Sequence, residues 1–121
     1  MSVLVWAGMA AVGGLGAIAR FELDGLVQRR AAGEFPFGTL SVNVAGAFVL
    51  GLLKGADVGG DALFLVGTGA LGSFTTFSTW MLETERLGED GDGRLAATNV
   101  AASFAAGLGA AALGWAIGSL L

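Results

Sequence analysis

Residues 69–80, GALGSFTTFSTW, hold Ser73, Thr75, Thr76, Ser78 and Thr79 in a segment otherwise apolar enough to cross a membrane. The last charge before it is Asp61 and the next is Glu83, an uncharged window of about the ~20 residues that a bilayer-spanning helix requires. Hydroxyls at that depth must meet protein or a polar cavity, because hydrocarbon offers them no partner. Asn43 lies in a second apolar stretch, with only Thr39 and Ser41 as other polar side chains. A helix broken at membrane depth is where ion sites are found. Cysteine and histidine are absent, which removes thiol chemistry, the commonest general base and the usual transition-metal ligands. No acid lies inside an apolar window either, so the chain is not expected to be an enzyme.

The elements that must position these groups follow from composition. The 121 residues are 55% hydrophobic, and a mean hydropathy of +0.76 fits a single membrane domain, 1–121. Four apolar windows are read as spans, at 3–19, 37–53, 62–82 and 95–121. The first carries no basic residue before Val5, unlike a cleaved leader, and is read as a true span. Charges concentrate in the connections, as the expense of placing an ion in hydrocarbon demands. The net charge of -4 disfavours nucleic acid as a partner. The acidic GEDGDG run at 88–93 lacks the spacing of a calcium loop and reads as a solvated turn. Small residues recur at helical contact spacing (Gly51 and Gly55, Ala106 and Ala110, Gly114 and Gly118), which permits close helix approach in lipid. Gly69, Gly72 and the hydroxyl cluster predict a third helix interrupted near 72–77. Four short spans enclose too little space for a pore, so an oligomer is expected.

Three motifs occur in order: GGLGAIAR at 13–20, GTLSVNVAGAFVLG at 38–51 and GALGSFTTFSTW at 69–80. Together they resemble the small bacterial fluoride channels, the Fluc or CrcB family. The resemblance covers most of the chain. It implies an all-α integral membrane fold of four helices with a broken third helix, assembled as an inverted dimer. It further implies passive, selective efflux of fluoride across the inner (plasma) membrane.

Individual residues acquire roles from that resemblance. Asn43 is either an interhelical hydrogen-bonding residue or, as the family pattern favours, an uncharged donor on the fluoride pathway. Phe77 and Trp80, three apart and so on nearly one helical face, match the family's phenylalanine pair, whose positively polarised ring edges face the anion. Trp80 departs from the pattern, which has Phe there. Thr76, Thr79 and Ser103 are candidates for a polar track, although hydroxyls in helices often bond back to the preceding turn. The backbone carbonyls of Gly72 and Thr75 match those that hold a structural sodium ion between two subunits. Arg20, at the end of the first span, reads equally as an interfacial anchor and as a vestibule cation that concentrates anions; Glu83 lies at a mouth.

Two rivals belong to other classes. A proton-coupled exporter of the small multidrug resistance type shares length and span count, but it needs a carboxylate within the first span, and 3–19 contains none. A non-transporting membrane subunit leaves the polar third segment without a purpose. Four crossings would place Lys54 on one side of the membrane and Arg20, Arg29, Arg30, Arg86 and Arg94 on the other. Basic residues in short loops favour the cytoplasm, so this distribution argues for one preferred orientation and a homologous partner of opposite bias. The resemblance instead favours a homodimer of dual topology.

Overall fold

A computed structural model describes residues 2–121 as an all-helical chain. Helix α1 (Val3–Ala31) begins where Ser2 Oγ accepts from the Val5 amide at 3.2 Å, satisfying one of the donors that every helix start leaves free. It continues well past the first apolar window, through the twelve residues 20–31, or about 18 Å. Arg29 and Arg30 in its last turn oppose the negative end of the helix dipole. Gly33, with φ of 96°, takes the reversal that side chains resist.

Gln28 clips this reversal from within α1. Its Nε2 donates to the Phe35 carbonyl at 3.1 Å and its Oε1 accepts from the Gly38 amide at 3.0 Å. One amide side chain thereby secures the start of α2 (Phe37–Gly55). The third crossing, Gly60–Glu89, is composite: a short α3 (Gly60–Leu63), a π-helical segment (Phe64–Leu71), α4 (Gly72–Phe74), a non-helical 75–77, and α5 (Ser78–Glu89). The expected interruption is therefore present, but narrower than 72–77, since Gly72 remains helical. The wide π-helical turns before it are not evident from the glycine and hydroxyl pattern. GEDGDG closes α5, with the Asp92 amide donating to the Leu87 carbonyl at 2.8 Å, and α6 (Gly93–Gly118) returns.

All four helical stretches Val3–Ala31, Phe37–Gly55, Gly60–Glu89 and Gly93–Gly118 are long and apolar enough to cross a membrane. The packing has the character expected in lipid. Among the described residues only Val42 and Leu87 are buried large hydrophobics, whereas Leu4, Leu15, Phe21, Phe104 and Leu113 are exposed. Burial belongs instead to small and polar positions. α2 and α6 close on one another through glycine: a Cβ at Gly51 would overlap the Ala111 carbonyl, one at Gly55 the Trp115 carbonyl, and ones at Gly114 and Gly118 the carbonyls of Phe48 and Leu52. Two of the three expected small-residue pairs thus form one seam, and Ala106 lies outside it, exposed. Such contact gains dispersion energy where apolar burial gains little. α1 packs on 60–74 through Gly16, where a Cβ would overlap the Ala70 carbonyl.

The loops at 32–36 and 90–92 lie at the same end. Glu34 sits beside Asp92, whose hydrogen-bonding carboxyl and negative charge hold Glu34 above the usual carboxylate range. Arg29, Arg30, Arg86 and Arg94 flank these loops at the ends of α1, α5 and α6. The exposed Glu89 offers a site for a single cysteine that reports the sidedness of this end, whereas Gly91, with φ of 86°, would be strained by a side chain. If arginine bias governs insertion, Glu89→Cys reacts with an impermeant thiol reagent from one side of the membrane only; equal labelling from both sides shows dual topology.

Candidate functional site

Breaking a helix at mid-depth strands backbone groups, and the chain answers with Asn43. Its Nδ2 donates to the Thr76 carbonyl at 2.9 Å, and its Oδ1 accepts from the Thr76 amide at 2.8 Å. The side-chain amide thus stands in for the missing helical partners of one residue in the break. The interhelical hydrogen-bonding role weighed for Asn43 is realised in this geometry. Nδ2 carries a second hydrogen, which remains for another acceptor.

Two further hydroxyls shape the break. Thr75 Oγ1 donates back to the Leu71 carbonyl at 3.0 Å, the local behaviour expected of helical hydroxyls. Thr76 Oγ1 instead turns forward: it accepts from the Thr79 amide at 3.2 Å and donates to Thr79 Oγ1 at 3.2 Å, capping the start of α5 as an N-terminal hydroxyl does. These substitutions have a consequence for the carbonyls. In an unbroken α-helix the Gly72 carbonyl would accept from the Thr76 amide and the Thr75 carbonyl from the Thr79 amide. Both donors are engaged elsewhere, one by Asn43 and one by Thr76 Oγ1. The two carbonyls are left with acceptor capacity, which suits a hard cation. Gly46 admits this stretch to the surface of α2, since a Cβ there would overlap Thr75 Cγ2.

Asn43, Gly72, Thr75, Thr76, Phe77 and Trp80 line one cavity of about 380 Å³ between α2 and the third crossing. Phe77 is 69% exposed and meets Trp80 edge-to-face, with ring centroids 5.7 Å apart and planes at 80°. A second cavity of about 230 Å³ is shared by Asn43, Trp80, Ser103 and Phe104, so Asn43 and Trp80 border both. Six of the expected site residues therefore converge directly, and Ser103 joins through the second cavity. Thr79 contributes through its bond to Thr76. Glu83 faces elsewhere: it lines a polar cavity of about 310 Å³ with Gln28, Arg86 and Asp90, toward the 32–36 end. Arg20, half-buried on α1, lines none of these cavities.

Asn99 escaped the reading of the sequence. It is 1% exposed, and its side chain donates to Thr84 Oγ1 at 2.8 Å and accepts from Ser103 Oγ at 3.3 Å. An amide inside an apolar window was the available signal, the same one that marks Asn43.

The profile of the family described as CrcB-like protein, Camphor Resistance (CrcB), matches residues 7–115. A relative from Mycobacterium bovis named Fluoride-specific ion channel FluC 2 is 50% identical over 114 residues, 94% of this chain and 90% of the relative. One of the same name from Mycolicibacterium paratuberculosis is 48% identical over 120 residues, 99% and 98% of the two chains. A third, from Haloarcula marismortui, is 50% identical over 109 residues, 90% and 89%.

Losing the Asn43 amide should expose both Thr76 backbone groups at once. Asn43→Leu, close in size, should destabilise the protein by ~2 kcal/mol or more and lower its thermal midpoint in detergent by several degrees. An unchanged midpoint would remove Asn43 from its supporting role.

Proposed function

The chain belongs to the CrcB family, and from that premise we propose that it is a fluoride-selective channel through which the anion leaves the cell passively. It is a multi-pass membrane protein and not an enzyme. The observation that carries the reading is the meeting of Asn43, Phe77 and Trp80 at one cavity beside the helix break. Fluoride enters cells as its weak acid and is trapped as the anion at neutral pH. An inside-negative potential then drives it outward, at ~2.3 kcal/mol per charge for each 100 mV, so no coupled energy source is needed.

Weak, uncharged ligands suit this task, because a conducted ion must bind and also leave. The remaining Asn43 hydrogen and the edges of Phe77 and Trp80 supply graded positive potential. Thr79 Oγ1 accepts from Thr76 and keeps its own hydrogen for an anion, which makes it the readiest hydroxyl of the polar track. Thr76 acts chiefly by capping α5, and Ser103 continues the track when its hydroxyl turns from Asn99. Arg20 and Glu83 belong to the vestibules, Glu83 at the end where Arg86 and Gln28 also lie.

The functional unit is an inverted homodimer in the inner membrane. Support comes from the exposed Phe77 ring and the exposed Gly72 backbone, which a second subunit would cover. A structural sodium ion is held between the subunits by the Gly72 and Thr75 carbonyls. What supports a cation there is the diversion of both carbonyls' helical donors; its positive charge would offset their converging dipoles.

Liposomes containing the purified chain should release fluoride under a potassium-ionophore-set potential and hold chloride. No fluoride release, or equal chloride release, overturns the channel reading. Within the aromatic pair, Phe77→Ile should lower fluoride flux at least roughly fivefold, the worth of one favourable aromatic edge contact. Trp80→Phe keeps a ring edge and should retain or raise flux; its inactivity would assign the indole a role of its own.

A further inference from the structure

Trp80 carries an indole N–H that a phenylalanine lacks, and this chain has a specific use for it. Nε1 donates to the Asn99 carbonyl at 3.3 Å. The Asn99 side chain donates to Thr84 Oγ1 at 2.8 Å, and Thr84 Oγ1 donates to the Trp80 carbonyl at 2.8 Å. The bonds form a closed circuit from the Trp80 ring to α6 and back to the Trp80 backbone. Asn99 at its centre is buried, and its one remaining polar atom, Oδ1, accepts from Ser103.

We propose that Asn99 and Thr84 are positioning residues for the Trp80 indole, tethering its N–H away from the ion path so that the ring meets the anion by its C–H edge. The first ground is chemical. An N–H is a far stronger anion donor than a polarised C–H, and a strong ligand slows release; engaging it with a carbonyl removes that option. The second is geometric. With both ends of the residue fixed, the ring is held edge-to-face with Phe77 at 80° while its other side borders Ser103 and Phe104. The larger indole thereby substitutes for a phenyl ring without acting as a hydrogen-bond ligand. A free indole would rotate about its side-chain bonds and occupy the cavity it now lines.

The transport consequence rests on the channel reading, so the test has two readouts. Thr84→Val is nearly isosteric and removes only the hydroxyl link, while Thr84→Ser retains it. In micelles, the indole N–H signals of the three tryptophans can be resolved by nitrogen-15 labelling, with Trp80→Phe identifying that of Trp80. The Trp80 proton should exchange slowly with solvent in the unaltered protein and in Thr84→Ser, and markedly faster in Thr84→Val. In liposomes, Thr84→Val should lower fluoride flux about fivefold, the factor that one hydrogen bond supplies. In the Trp80→Phe background, which has no N–H to hold, the same substitution should change flux less than about twofold. An indole signal indifferent to Thr84→Val, or an equal flux loss in both backgrounds, overturns the proposal. If the unaltered protein passes no fluoride, the channel reading fails, and the indole exchange alone decides whether the tether exists.

Discussion

A helix can be broken at the depth of hydrocarbon only if something satisfies the backbone it releases, and here the paired hydrogen bonds between Asn43 and Thr76 do so. Each stranded group would cost several kcal/mol against lipid. Because Asn43 occupies the Thr76 amide, the Gly72 carbonyl lacks the donor that would close a helical turn. The Thr76 hydroxyl caps α5 through the Thr79 amide, which leaves the Thr75 carbonyl, on an extended residue, without its helical donor. The same break sets Phe77 outside regular helix and lets its ring meet Trp80 edge-to-face. Carbonyls without helical donors and an edge-to-face aromatic pair are therefore two products of one supported interruption.

Side-chain amides recur in this supporting role. Gln28 joins the Phe35 carbonyl and the Gly38 amide across the first reversal, Asn43 supports the break, and Asn99 joins α6 to α5 through Thr84. An amide has both a donor and an acceptor without a charge, which makes it the side chain best able to replace a peptide group in a low-dielectric setting. The helices come close enough for these short side chains to reach because the seams are glycine. A side chain at Gly46, Gly51 or Gly114 would strike a neighbouring element and separate the partners. The outer surface is left to exposed apolar residues such as Leu4, Phe21 and Leu113.

Much of this was legible in the sequence. An amide among apolar residues marked Asn43, and hydroxyls crowded beside Gly72 marked a segment that could not remain a simple helix. Glycines four apart marked surfaces of close helix approach, and the fold shows that α2 and α6 are the partners. Other features depend on information the local sequence does not carry. α1 outlasts its apolar window because Arg20, Glu22 and Asp24 end the hydrophobic signal without ending helix propensity. The π-helical turns at Phe64–Leu71 depend on how 60–74 fits against α1, and no residue type announces them. The partner of the Trp80 indole lies nineteen residues away on another helix, and only the fold brings them together. Arg20 illustrates the same limit, since position at the end of an apolar window did not reveal that it lines none of the cavities described.

Whether Asn43 carries the break can be read from hydrogen exchange at the Thr76 amide in the unaltered protein. This amide belongs to no helix, yet it should be protected as well as amides within α2, because its proton is held by Asn43 Oδ1. Exchange at the rate of an open loop amide would contradict that role.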